Sequence, residues 1–143
     1  MALRIIPFLA GLAIIYTGIN VGFGGIITLG WQGVNDFAEA TNQQRFLAQD
    51  SHVRFLGGVW LAVGALFVLS AIRLERFHSA LRFAIIATFV GGLARFSQMN
   101  PGVTLGPDIV GSLAAELIGM PVLYFWLAKV VNIKTNSSPD PFS

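Results

Sequence analysis

Four long apolar stretches leave this chain few ways to fold. A helix must supply about 20 mainly apolar residues to cross the roughly 30 Å hydrocarbon core of a bilayer. Stretches of that length run from Ile5 to about Gly30, Arg54 to Ile72, Leu81 to Met99, and Ile109 to about Ala128. In hydrocarbon the backbone must satisfy its own hydrogen bonds, so such stretches are helical. The expected fold is all-α, an antiparallel four-helix transmembrane bundle over residues 1–131, with a flexible C-terminal tail over 132–143. Composition agrees. Of 143 residues, 55% are hydrophobic and only 11% charged, well under the roughly 25% charged residues of soluble domains. The first stretch is too long for the core of a cleavable signal.

The connections carry the polar residues. Gln32 to Ser51 is polar and mildly acidic, and Phe37, Ala40 and Leu47 suggest a short interfacial helix there. Leu74 to Ala80 reads as a short loop that would make the second and third spans antiparallel neighbours. Pro101, Gly102, Gly106 and Pro107 mark turns, with Asp108 as the expected cap of the fourth span. In a four-span layout Arg4, Arg73, Arg76, Arg82, Lys129 and Lys134 fall on one side. Arg45 and Arg54 fall on the other, with Asp36, Glu39, Asp50 and Asp108. The positive-inside rule then puts both termini in the cytoplasm. Asn136-Ser137-Ser138 matches a glycosylation acceptor by chance at that cytoplasmic end.

Two residues are expensive where they stand. Arg95 and Glu116 interrupt the third and fourth spans. A charge at mid-membrane costs about 2.5–3.5 kcal/mol on insertion scales, so it usually faces protein, water or an opposite charge. At 1.5 Å per residue, Arg95 and Glu116 lie about 8–10 Å below the same surface. Arg54, in the first turn of the second span, enters from that side. Asn20, Ser97, Gln98 and Ser112 share the layer as a secondary polar lining. Gly91, four residues before Arg95, turns the arginine toward a helix neighbour. Small residues mark packing faces: Gly18 and Gly22, then Gly57, Gly58, Ala62 and Gly64, then Gly91 and Gly92, then Gly111, Ala115 and Gly119. Pro121 removes the amide that would bond the Leu117 carbonyl and should kink the fourth span below Glu116.

Two readings of Arg54, Arg95 and Glu116 stay open. Arg95 and Glu116 form an ion pair that locks helix packing, or the three residues line an outward-opening pocket for an anionic or carbonyl headgroup, such as a quinone or lipid. A proton path is weaker, since no ionisable partner sits in the opposite half. No catalytic residue or metal site is assigned. Without cysteine there is no thiolate ligand, disulfide or thiol redox chemistry. His52 and His78 lack partners at metal-ligand spacing. There is no GxSxG, Walker or dinucleotide motif. A net charge of +2 without a Lys/Arg cluster argues against nucleic acid. Trp31, Trp60, Tyr124 and Trp126 suit packing or a membrane belt.

Three motifs resemble those of a known family. They are Arg54-Phe55-Leu56-Gly57-Gly58-Val59-Trp60-Leu61-Ala62-Val63-Gly64, Gly91-Gly92-Leu93-Ala94-Arg95-Phe96-Ser97, and Glu116-Leu117 followed by Pro121. Together they resemble the bacterial four-span domain-of-unknown-function family numbered 4345, over roughly Arg54 to Lys129. The resemblance implies a four-helix inner-membrane protein with Arg54, Arg95 and Glu116 at signature positions, and it implies no activity. In outline the chain is also similar to DoxX-like four-span proteins, some linked to quinone or thiol redox systems. The lack of cysteine removes the thiol version. The function expected is that of a non-catalytic accessory or assembly subunit of a membrane complex, its partners being the bilayer and other membrane subunits or a second copy. The alternative is a quinone- or lipid-binding membrane protein.

Overall fold

A computed structural model describes residues 2–28 and 41–136. Every regular element among them is helical. In order they are α1 (Ala2–Gly24), α2 (Gln43–Ile72), α3 (Leu74–Ala94), a 3₁₀ turn (Arg95–Gln98), α4 (Pro101–Thr104), α5 (Pro107–Ala114), a π turn (Ala115–Gly119) and α6 (Met120–Asn136). Four segments are long and apolar enough to cross a membrane: Arg4–Gly24, Gln43–Ile72, Leu74–Gln98 and Ile109–Val130. The all-α, four-span class expected from hydrophobic run length therefore holds. The chain forms two compact units, Met1–Phe77 and His78–Ser143.

In the first unit α1 packs on α2 along a seam of glycines. A Cβ at Gly57 would lie 2.3 Å from the Gly22 amide nitrogen, and one at Gly18 would lie 2.6 Å from that of Leu61. One at Gly64 would lie 2.7 Å from the Ile15 nitrogen. These contacts climb α1 while descending α2, so the pair is antiparallel. Lipid tails are as apolar as leucine, so helices in a membrane gain from close backbone approach and dispersion rather than from hydrophobic burial. The seam also holds a polar rung, where the Trp60 indole Nε1 donates to Thr17 Oγ1 at 3.1 Å.

Several boundaries differ from the expected ones. α1 stops at Gly24, because Gly25 adopts φ +79°, a left-handed conformation that ends the helix at glycine. α2 starts at Gln43, where the Asn42 side chain accepts from the Arg45 amide, so Leu47 belongs to the second long helix. Phe37 and Ala40, also assigned to an interfacial helix, lie outside the described residues. Arg54 consequently sits well inside α2 rather than in its first turn. The expected loop from Leu74 to Ala80 is helical: α2 ends at Ile72, Arg73 caps it, and α3 begins at Leu74. Gly106, not Asp108, caps α5, since Pro107 with its fixed φ opens the helix. α6 runs on to Asn136, into the segment assigned to the tail. The last two residues of Asn136-Ser137-Ser138 lie outside the described residues, as does Trp31.

In the second unit α3 buries Leu81, Ala84, Ile85, Thr88 and Gly92, a stripe at helical spacing. The helix from 107 to 136 buries Leu113, Glu116, Leu123 and Leu127. Glu116 is therefore the charged member of an otherwise apolar stripe. The guanidinium of Arg82 lies over the Tyr124 ring, 5.9 Å from its centroid.

Candidate functional site

Arg95 and Glu116 meet in the second unit, on α3's 3₁₀ extension and the π turn. Arg95 Nε donates to Glu116 Oε2 at 2.8 Å and Nη2 donates to Oε1 at 2.7 Å. This two-pronged geometry matches the planar guanidinium fork to both carboxylate oxygens. The two ends of the pair differ in exposure: the Glu116 side chain is 11% exposed and that of Arg95 is 40% exposed. The carboxylate is enclosed while the cation keeps an open edge.

Local backbone departures bring the two together. At Arg95 the α-helix tightens into a 3₁₀ turn. The glycine that meets the pair is Gly92, three residues before Arg95, and not Gly91. Gly92 is buried, and a Cβ there would lie 2.8 Å from Glu116 Cβ and 3.1 Å from Oε2. Only glycine lets the Glu116 side chain lie flat against α3. Gly91 is exposed, with nothing within 4 Å of a Cβ built on it.

On the other helix Glu116 stands in the π turn, where the Met120 amide donates to Ala115 O, five residues back. Pro121 follows at once and has no N–H to give Leu117. An interior proline also clashes with the carbonyl four residues before it. The extra residue in the turn widens it there, so the disruption expected from Pro121 takes the form of a π turn. Such bulges inside α-helices recur at functional sites.

Arg54 has a different set of partners, in the first unit. Its Nε donates to Asp50 Oδ2 at 2.6 Å, Nη1 to the Phe23 carbonyl and Nη2 to the Gly24 carbonyl at 3.2 Å. Asp50 Oδ1 accepts from the Ile26 amide at 2.7 Å. Together they clasp the C-terminal end of α1, whose last carbonyls have no intrahelical donor. Gly25 makes room for them, since a Cβ there would lie 2.1 Å from Asp50 Oδ1. Sequence reasoning counted Asp50 only as a charge of that side and Gly92 only as a small packing residue, and gave neither its partner. The four-residue spacing of Asp50 and Arg54 was a readable signal; the role of Gly92 depends on a tertiary approach of Glu116 and was not.

The secondary polar residues do less. Ser112 Oγ donates to the Ile109 carbonyl at 2.9 Å, within its own turn. Ser97 and Gln98 are exposed on the 3₁₀ turn. The Asn20 carbonyl accepts from Thr28 Oγ1 at 3.1 Å. Gly111 and Gly119, assigned to a packing stripe, have nothing within 4 Å of a Cβ.

The family described as Domain of unknown function (DUF4345) matches residues 2–127, nearly the whole chain. The chain belongs to this family. The match takes in α1, which the sequence motifs alone did not reach, and it includes Arg54, Arg95 and Glu116. No curated protein and no solved structure matches the chain.

Proposed function

We propose that this DUF4345 protein is a non-catalytic accessory or assembly subunit of a membrane complex, inserted in a bacterial inner membrane with both termini cytoplasmic. One observation carries the reading. Both oxygens of Glu116 are taken by Arg95, so the carboxylate that interrupts the fourth span is already engaged inside its own unit. Neither oxygen is left facing an open cavity, since each accepts from one nitrogen of the arginine fork. Its role is to join the third and fourth spans. The open glycines at 58, 91, 111 and 119 support assembly, since small residues on membrane-helix faces are where another helix comes close. The Lys/Arg bias supports the orientation.

Purification in a mild detergent tests this reading. A stoichiometric membrane partner, or a defined homo-oligomer, is expected; a monodisperse monomer from native membranes would overturn it. A C-terminal reporter active only outside the cytoplasm would reverse the orientation.

A second reading rests on the open edge of Arg95. Two of its five N–H groups serve Glu116, leaving three on a side chain that is 40% exposed. They suit a quinone carbonyl or a lipid headgroup. In that case extracts of the purified protein contain a retained quinone or lipid that Arg95→Ala loses.

A further inference from the structure

The first unit carries a site of its own. At the start of α1 and the end of α2 lies a groove of about 230 Å³, lined by Arg4, Ile5, Phe8, Ala71 and Ile72. The antiparallel seam puts these two helix ends at the same level, where one span begins and the other ends. The floor is apolar: Ala71 is buried, and Ile5 and Ile72 form half-exposed rims. Arg4 supplies the cation in the wall. Arg73 follows Ile72 directly and is exposed, as is Arg76 in the next turn. Glu75 is the one acid of that turn. The first turn of α1 has no acidic residue, so the positive end of the helix dipole adds to Arg4 rather than being neutralised.

We infer that this groove holds one anionic phospholipid, with an acyl chain against Ile5, Phe8, Ala71 and Ile72 and its phosphate between Arg4 and Arg73. Charge complementarity selects this occupant. A second copy of the chain would bring its own Arg4 and Arg73 against the first pair, like against like. A zwitterionic lipid would fill the groove but bring a cation of its own to the arginines. Basic pockets at the ends of membrane helices bind anionic headgroups through the same charge pairing. The inference does not depend on Arg95 or Glu116.

Native mass spectrometry of the full chain in detergent, titrated with dioleoylphosphatidylglycerol or dioleoylphosphatidylcholine, tests it. One phosphatidylglycerol is expected to bind in preference to phosphatidylcholine. Arg4→Gln and Arg73→Gln should each weaken it about fivefold, with phosphatidylcholine unchanged. Ile72→Trp, which fills the groove from an exposed rim, should weaken both lipids. Arg4→Lys with Arg73→Lys, which keeps the charge, should retain the preference. Should the glutamine variants fail to fold, the tryptophan and lysine variants decide the matter alone. Equal binding of the two lipids overturns the inference. So does phosphatidylglycerol binding that survives Ile72→Trp, or that inorganic phosphate displaces as readily as lipid does, since the site would then hold a free anion. If Ile72→Trp breaks a dimer and leaves lipid binding intact, the groove belongs to a second copy and the inference fails.

Discussion

Among the described residues an arginine meets an acid in each unit, Arg54 with Asp50 in the first and Arg95 with Glu116 in the second, and the two pairs differ in what lies between the partners. In the first unit Asp50 and Arg54 stand four residues apart on one helix, and most of what Arg54 holds is backbone. Its guanidinium closes the open carbonyls of α1, and Asp50 takes the amide of Ile26 beyond the break. In the second unit Arg95 and Glu116 are separated by 21 residues, and each is the other's partner. The local pair therefore finishes a helix; the distant pair joins two. A same-helix pair forms whenever the helix forms and adds little. A pair between spans forms only when both spans are correctly placed, so it reports tertiary structure.

Glu116→Leu should produce the largest effect of this comparison. It leaves the Arg95 fork facing apolar side chains. Removing one partner of a fully buried pair costs about 3–5 kcal/mol, and the open edge of Arg95 should bring this down to about 2–3 kcal/mol. Melting in detergent should fall accordingly, with Glu116→Gln clearly milder because an amide oxygen still accepts from the guanidinium. Asp50→Leu should cost less, since Arg54 keeps both α1 carbonyls. Equal melting of Glu116→Leu and Glu116→Gln would end the view of Glu116 as the arginine's required acceptor.

Gly92→Ala and Gly25→Ala should come next, for unlike reasons. Overpacking by a methyl costs about 1–3 kcal/mol, and at Gly92 that methyl would push on Glu116 itself. Gly25→Ala meets both the Asp50 carboxylate and a positive φ, a strain of about 1–3 kcal/mol. Each glycine should disable its own pair: Gly92→Ala should make a subsequent Glu116→Gln change nearly silent, and Gly25→Ala should do the same for Asp50→Asn. If Gly92→Ala is neutral, the close approach of Glu116 to α3 is not what positions it.

These differences also mark how far the sequence could be read. Run length and hydropathy gave the four spans, because hydrocarbon thickness sets a length that any sequence must meet. Equal depth pointed to Arg95 and Glu116 as one layer, since rise per residue is nearly invariant along a helix. Helix rotation was harder to read. A 3₁₀ turn at Arg95 and a π turn at Glu116 shift the angular position of every residue beyond them. Which glycine meets a neighbour was not legible from spacing: Gly92, not Gly91, lies against Glu116, and Gly111 and Gly119 have nothing within 4 Å of a Cβ among the described residues. Helix ends were misplaced where a local cap outweighed hydropathy. Asn42 starts α2 amid polar residues, and Gly25 stops α1 before the apolar run is over.

The smallest effect expected, the coupling of Asp50 with Arg54, is also the one that separates the two pairs most cleanly when it is set beside that of Arg95 with Glu116. Arg95→Ala with Glu116→Ala, measured as a double-mutant cycle, should couple by about 1.5–3 kcal/mol, within the range for residues sharing one buried hydrogen-bonded network. Asp50→Ala with Arg54→Ala should couple by less than about 0.5 kcal/mol, the usual value for exposed pairs four apart on a helix. Arg54 is 42% exposed, so even this small coupling should shrink in high salt. The Arg95–Glu116 coupling should persist there, because the Glu116 carboxylate is enclosed. The contrast rests on Arg54 working through the α1 carbonyls, which neither alanine removes. A strong, salt-resistant Asp50–Arg54 coupling would mean that the first-unit pair also reports tertiary structure, and the distinction between finishing a helix and joining two would collapse.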